Sequence, residues 1–352
     1  MKILADASLP NLQAWFQEPF ILTTYSNTKE LKGVIHSQDI LLCRSTLKVT
    51  KEILADTAIR YVATASSGTD HIDSNFLQQH GISLVDAKGC NARSVADYII
   101  TVLAWLEQHQ LIKGRTTGVI GGGKVGSRVI SRLQALGYST VCYDPYLSQT
   151  NATYPMCSFA ELYACDVLLV HANLHSDPPY PSNNLLNGEF LAQLKPGTVI
   201  INAARGGVVN EAEVLNHPHL IYCTDVYLNE PNLDKRIVDF ATLCTPHIAG
   251  HSIDAKLEAV RLVSEKLHQH YKLPMPLQTV VFEPESVLNK TTWQEFALSL
   301  YNPYQETLAL KSAANKEQAF LSLRKAHQTR RDFIHYHVKN PSVLLRKILG
   351  IE

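Results

Sequence analysis

The chain carries no net charge: 32 Lys and Arg stand against 32 Asp and Glu. Without a long-range field of either sign, there is no electrostatic pull toward nucleic acid or an anionic membrane, and neither is expected as a partner. No apolar run reaches the length that spans a bilayer. The longest, near Ile99–Leu106, contains a Trp and ends at Glu107. The N-terminus, MKILADASLP, lacks the charged-then-apolar pattern of a signal peptide and reads as a first strand. The seven cysteines (Cys43, Cys90, Cys142, Cys157, Cys165, Cys223 and Cys244) form no C-x-x-C pair. That excludes the common zinc and dithiol spacings; several sit in apolar strand-like runs, as small buried hydrophobes do in a reducing compartment. No ligand cluster suggests a metal, so none is expected. There is no internal repeat and no low-complexity tract. A soluble, cytoplasmic protein is expected, with room in 352 residues for two or three domains.

What is present centres on Thr116–Pro145. A short apolar run, Thr117–Ile120, leads into Gly121, Gly123 and Gly126 in G-x-G-x-x-G spacing. Val125, Val129, Leu133 and Leu136 recur at helical intervals, and Gly137 ends the helix. Thr140–Tyr143 reads as a second strand, with Asp144 just past it. This order of strand, glycine turn, helix, strand and acid is that of a dinucleotide site. Gly121 allows the tight turn, Gly123 lets a pyrophosphate approach, and Gly126 lets the helix lie close to the sheet. Lys124 and Val125 open the helix whose N–H groups face the phosphates. A carboxylate at Asp144 accepts from ribose hydroxyls and repels a 2′-phosphate, so NAD is the expected cofactor.

Either side of this unit, strands alternate with helical patterns, which implies parallel sheets. Before it come strands Lys2–Ala5, Ile40–Cys43, Tyr61–Thr64 and Ser83–Val85, with helices Leu47–Ala55 and Ser74–Gln79 among them. A long helix, Val95–Gln110, is apolar on several faces and therefore buried. After it come strands near Val167–Val170, Val199–Asn202 and Leu220–Asp225, and a long helix Ile253–Tyr271 that carries the chain back to the first domain. The expected architecture is two Rossmann-like or flavodoxin-like parallel-sheet domains with a cleft between them, plus a small C-terminal α+β domain. The expected boundaries are 1–92 with 254–275 for a substrate domain, 93–253 for the NAD domain and 280–352 for the last. The basic run Arg324-Lys325 and Arg330-Arg331 in that last part is read as a solvated face.

Ligands of open α/β sheets bind beyond the carboxyl ends of strands. Three polar segments follow strands of the NAD domain: Asn202-Ala203-Ala204-Arg205-Gly206, Asp225-Val226-Tyr227-Leu228-Asn229-Glu230-Pro231, and Thr245-Pro246-His247-Ile248-Ala249-Gly250. An arginine in the first can hold a carboxylate with two parallel hydrogen bonds. The pattern N-A-x-R-G, D-V-x-x-x-E-P and T-P-H-I-A-G downstream of the glycine turn resembles the D-isomer-specific 2-hydroxyacid dehydrogenase family. Residue by residue, the resemblance puts Arg205, Glu230 and His247 at the catalytic positions, and Ala172, Ala203, Ala204, Asp225 and Gly250 beside the cofactor. His247 would take a hydroxyl proton near neutral pH, Glu230 would fix its tautomer, and Arg205 would grip a carboxylate.

The N-terminal part narrows the branch. Cys43-Arg44-Ser45-Thr46-Leu47-Lys48 sets cations and hydroxyls around a strand end, and Ala65-Ser66-Ser67-Gly68-Thr69 is a small-residue loop able to bind an anion. With the G-C-N-A segment at Gly89 and the C-terminal pieces Leu300-Tyr301-Asn302 and Phe320 to Phe333, these resemble the branch of the family that carries an added dimerisation domain. That branch oxidises C2 of a phosphorylated sugar acid in vitamin B6 biosynthesis. The resemblance therefore implies a homodimer and a small substrate with an anion at each end. Arg44, Ser45 and Lys48 are the candidates for its phosphate, and Ser66, Ser67 and Gly68 for its carboxylate. Three departures from the pattern stand out: His171-Ala172-Asn173-Leu174 replaces H-T-P-L, Lys88 replaces Pro, and His251 stands where a substrate-contacting Tyr is usual. Other members of the family, of 3-phosphoglycerate or hydroxypyruvate type, and NAD-sensing corepressors of the same fold are the rival readings.

Overall fold

The computed structural model describes residues 1–147, 153–276, 285–286, 290, 292–327, 329–338 and 341–350. They form two compact units. The first is Met1–Asn91 with Ser252–Glu283, and the second is Ala92–His251 with Pro284–Glu352. The boundary expected near 280 lies outside the described residues.

Continuous apolar runs of four or five residues become strands buried on both faces, as in parallel sheets covered by helices. In the first unit the strands are β1 (Lys2–Asp6), β2 (Ile21–Tyr25), β3 (Ile40–Cys43), β4 (Tyr61–Thr64) and β5 (Ser83–Asp86), of which β2 and β5 are the more exposed edges. All neighbours pair in parallel, in the order β2-β1-β3-β4-β5. This is the flavodoxin-like order, whose reversal falls between β1 and β3. β2 escapes the sequence reading because it is an edge strand: Ile21 is 61% exposed and only Tyr25 of the five is buried. One face is covered by the helix Ile253–His270, which places Ala259, Val260, Val263 and Leu267 against Ile3, Ile40 and Trp15. Leu31, Ile53 and Phe76 from shorter helices fill the other face. The helix expected over Leu47–Ala55 contracts to Lys51–Leu54. Its first turn is lost because Val49 instead bridges Ile72: the Val49 N–H donates to His71 O (2.8 Å) and Val49 O accepts from Asp73 N (2.9 Å).

In the second unit the strands are β6 (Thr116–Ile120), β7 (Ser139–Tyr143), β8 (Val167–Val170), β9 (Val199–Asn202), β10 (Ile221–Thr224) and β11 (Leu243–Cys244). They run parallel in the order β11-β10-β9-β8-β6-β7, reversing between β6 and β8. The long helix is Ala92–Gln108, buried along most of its length as its sequence implies. It packs on Val129, Ile130 and Leu133 of the helix Lys124–Ala135. Its Ile100 and Ala104 also meet Phe296, Phe333 and Ile348 from the C-terminal residues. Each such large side chain, fully buried, contributes about 1.5–3 kcal/mol.

The C-terminal residues are mainly helical, with helices Trp293–Leu300, Tyr304–Ser312, Lys316–Ala326 and Val343–Leu349. A two-residue parallel pair joins Glu285–Ser286 to Tyr336–His337. Here Arg330 and Arg331 are 6% and 9% exposed, so the solvated face expected for them is not what forms. The physical reason is that this segment packs inside the second unit, of which it is a part, among buried polar partners. Ser94 donates to Asp332 (2.6 Å), and the Phe333 N–H donates to Asp97 (2.8 Å). Asp97 in turn holds Arg132 in an ion pair of 2.5 Å, with both side chains under 5% exposed. Among the described residues no helix is long and apolar enough to cross a membrane.

Candidate active site

The nucleotide end of the second unit is built where the strand order reverses. Gly121 follows β6 with φ +96°, a region that side-chain-bearing residues rarely occupy. A Cβ there would lie 2.8 Å from the backbone N of Ala172, the second residue past β8. Gly126 lies one helical turn on, against Gly121 O. Gly123 caps the helix Lys124–Ala135 without a side-chain bond, so the N–H groups of the first turn, at Lys124 and Val125, remain available to an anion. Asp144, just past β7, accepts from Gly122 N (2.9 Å) and Tyr146 N (3.1 Å), which locks a carboxylate beside the glycine turn. Both ring nitrogens of His171, the residue before Ala172, are buried without a hydrogen-bond partner among the described residues. Burial pushes this imidazole down to about 4, so it is neutral. A glycine cradle, an uncapped helix start, an acid at the ribose position and orphaned polar atoms beside them fit a bound dinucleotide.

The carboxyl ends of β9, β10 and β11 carry the other candidates. Asn202 closes β9; its Oδ1 accepts from Ala204 N and its Nδ2 donates to Arg205 O, both at 3.1 Å. These bonds fix the turn that presents Ala203, Ala204 and Arg205. The Arg205 side chain is half-buried and donates to Ala204 O at 2.8 Å. At Gly206 a Cβ would come within 1.9 Å of Tyr227 O, so only glycine lets the β9 turn press onto the loop after β10. That loop brings Glu230 round. Glu230 Oε1 accepts from Tyr227 N (2.9 Å), and Oε2 meets His247 Nδ1 at 2.6 Å. Burial favours the neutral carboxyl of Glu230, but the His247 hydrogen bond and charge, the Tyr227 N–H and Arg324 outweigh it and hold the group below its ordinary range. Glu230 is therefore an anion at neutral pH, with His247 30% exposed at its side.

Asp225, expected beside the cofactor, is only 1% exposed. Its carboxylate accepts from Thr245 Oγ1 (2.6 Å), Ile248 N (2.8 Å) and Ala249 N (2.8 Å). The carboxylate is thus spent on the loop from Thr245 to Gly250, and it shapes that loop. His251 continues the same loop, its N–H donating to Ile248 O at 2.9 Å. Glu211, which the sequence reading passed over, accepts from Leu228 N at 3.1 Å, inside the loop that carries Glu230. Its only signal in the sequence is its place just after Asn210, the cap of a short helix.

The first unit brings its own candidates together at the ends of β3 and β4, neighbours in the sheet. Arg44 pairs with Asp6 at 2.9 Å across the strand-order reversal, and its side chain stays 42% exposed. Ser45 and Lys48 follow on the surface of the same turn. After β4, Ser66 bonds Thr64 Oγ1 (2.7 Å) and Gly68 O (2.9 Å), and Ser67 Oγ accepts from Gly89 N (3.2 Å). The loop from Ser66 to Gly68 is thus internally braced. Lys256, also missed by the sequence reading, lies in the first turn of Ile253–His270. Burial, then the charge of Arg44, pull its ammonium below the ordinary lysine range.

Comparison with known proteins bears on this arrangement. The sequence model of the "D-isomer specific 2-hydroxyacid dehydrogenase, NAD binding domain" matches residues 102–249. The erythronate-4-phosphate dehydrogenase of Legionella pneumophila (strain Philadelphia 1) is 52% identical over 337 residues, 96% of each chain. That of Coxiella burnetii (strain RSA 331) is 31% identical, covering 99% of this chain and 98% of its own. Among solved structures, the cofactor-bound 3-phosphoglycerate dehydrogenase of Entamoeba histolytica superposes with a TM-score of 0.65 at 20% identity. It covers 80% of this chain and 99% of its own. At that identity it speaks for the fold, and a fifth of this chain has no counterpart in it. The glycine turn, the acid after β7 and the Glu230–His247 pair thus sit in a chain that belongs to the D-isomer specific 2-hydroxyacid dehydrogenase family, among its erythronate-4-phosphate dehydrogenases.

Proposed function

We propose that this protein oxidises 4-phospho-D-erythronate at C2 to (R)-3-hydroxy-2-oxo-4-phosphooxybutanoate with NAD, a step of pyridoxal 5′-phosphate biosynthesis. The observation that carries the reading is the His247–Glu230 pair at 2.6 Å, in a chain 52% identical over 337 residues to an erythronate-4-phosphate dehydrogenase. NAD, when bound, supplies the acceptor for the hydrogen on C2. His247 takes the hydroxyl proton on Nε2, since an anionic Glu230 at Nδ1 favours the tautomer that leaves Nε2 free to accept. The same carboxylate stabilises the imidazolium that results. Arg205 binds the substrate carboxylate and polarises the carbonyl forming next to it. Arg44, Ser45 and Lys48, joined by Lys256, take the phosphate, and Ser66, Ser67 and Gly68 assist the carboxylate. The C-terminal residues serve a homodimer. The seven free cysteines, six of them buried, support a reducing, cytoplasmic setting.

The test is steady-state oxidation of 4-phospho-D-erythronate beside 3-phospho-D-glycerate and D-glycerate, with a 2-oxo acid present to reoxidise NADH. Strong preference for the erythronate ester, abolished in His247→Ala, is the expected result. Preference for another acid sinks the substrate assignment and leaves the chemistry; no turnover with any of them, despite tight NAD binding, points to a sensor.

A further inference from the structure

His247 holds φ +55°, in the left-handed region. For a residue other than glycine this costs on the order of 1 kcal/mol or more and persists only where the surroundings over-determine it. Asp225 supplies four of the holding bonds, three through its carboxylate and one through its main-chain oxygen, which accepts from His247 N at 2.7 Å. Others come from far along the chain. Thr307, in the helix Tyr304–Ser312, accepts from Cys244 N at 2.9 Å, just before the loop begins. Arg330 donates from Nη2 to Ala249 O, just before it ends. The Ala249 residue is therefore pinned on both sides, its N–H by Asp225 and its carbonyl by Arg330.

Arg330 is itself positioned. It is 6% exposed, and its guanidinium lies over the Tyr301 ring, 5.0 Å from the centroid. Tyr301 donates to Glu306 at 3.3 Å. The ring lies 6.1 Å from that of Tyr98, whose hydroxyl bonds Thr245 Oγ1 at 2.7 Å. Both ends of the loop are thus tied to residues 301–330. A buried guanidinium on a main-chain carbonyl is a stronger tie than a neutral bond, and an apolar residue would fill the same space without the cost of burying a charge.

We propose that Arg330 is a positioning residue for the dehydrogenation, so that the segment Tyr301–Arg330 is part of the catalytic scaffold and not only an assembly surface. The proposal rests on the reading of His247 as the proton acceptor. Arg330 acts by holding the Ala249 peptide, and through it the left-handed turn at His247 and the position of Gly250. It touches neither substrate nor cofactor.

The experiment uses the full-length protein with Arg330→Met, which keeps the apolar stem and removes the donors, and with Arg330→Lys. Expected for Arg330→Met is a kcat lower by about 10- to 100-fold, as for an ångström-scale misplacement of a catalytic group, with KM changed much less. Arg330→Lys falls between, and free guanidinium restores part of the rate. The NMR resonances of the His247 ring, identified by their loss in His247→Gln, shift in Arg330→Met relative to wild type. That signal needs no turnover. An inactive wild type therefore counts against the proposed reaction, while unmoved His247 ring resonances count against this inference. A folded Arg330→Met with wild-type kcat and unshifted His247 resonances overturns it, even with a lowered Tm. If Arg330→Met fails to fold, Tyr301→Leu removes the ring stacked on Arg330 together with its hydroxyl bond to Glu306; the same two readouts decide, and wild-type values again overturn the proposal.

Discussion

Replacing Glu211 by glutamine is expected to raise stability at pH 8 and to leave it unchanged near pH 4. Glu211 is largely buried, and burial first, then the charges of Asp234 and Glu230, push its carboxyl up to about 7 from an ordinary 4.5, against the pull of the Leu228 N–H. Between those two values the folded chain binds a proton that the unfolded chain has released. Stability therefore falls as pH rises through this window, and above it the folded protein carries the whole cost of a buried anion. At roughly 1.4 kcal/mol for each tenfold difference in proton affinity, that cost is about 3 kcal/mol. Glutamine keeps the oxygen that accepts from Leu228 N at 3.1 Å and removes the charge. The assay is thermal unfolding of both proteins from pH 4.5 to 8.5. Glu211→Gln should gain several degrees, up to about 10 °C, at pH 8, shrinking to nothing at the acid end. A gain or loss that stays constant across pH would refute the argument, since it would mean that Glu211 does not titrate differently in the two states.

Other expectations follow from the same geometry. Glu230→Gln should lower kcat by about 10²- to 10⁴-fold, because the imidazole loses its orienting anion. The carboxylate of Glu230 is held below 4.5, so the stability it contributes is complete above that pH and lost as pH falls through the lower folded value. The melting curves of wild type and Glu230→Gln should therefore differ at pH 7 and converge on acidification. Arg132→Ala strands Asp97 in a site under 5% exposed and should cost about 3–5 kcal/mol, read as a lower urea midpoint. Arg44→Ala should raise KM for the phosphorylated acid about 10- to 100-fold, the worth of a charge-assisted hydrogen bond. An unchanged KM would remove Arg44 from the phosphate site.

Most of the fold was legible because both sheets are parallel and buried. Runs such as Ile40–Cys43 and Val167–Val170 are apolar at every position, and their ends match the strands to within a residue. β2 was not legible, since an edge strand with exposed Ile21 and two threonines carries no such run. The order of Arg205, Glu230 and His247 along the chain pointed to the site, and the strand order β9-β10-β11 explains why three distant motifs meet at one sheet edge. What local pattern could not carry was long-range partnership. Asp225 belongs to an acid-containing motif, and nothing local shows that its carboxylate bonds Thr245 Oγ1 and the Ile248 and Ala249 N–H groups past the neighbouring strand. Arg330 sits in a basic run that reads as solvated, and only tertiary packing turns it inward. Glu211 carries no motif at all, and its importance lies in what surrounds it.

The interleaving of the two units along the chain sets an order for their birth on a ribosome. The first unit owes Ala259, Val260, Val263 and Leu267 of its core to Ile253–His270, while its sheet is complete by Asp86. At roughly 5–20 residues per second, about 10–30 s separate the last strand from the helix that seals it. The second unit waits in turn for Phe296, Phe333 and Ile348. The nascent chain therefore exposes one apolar face of the first sheet until Ile253–His270 emerges, and Ile100 and Ala104 of the long helix until the C-terminal residues do. Truncations that remove those residues should leave both the yield of folded protein and its dependence on chaperones sharply changed.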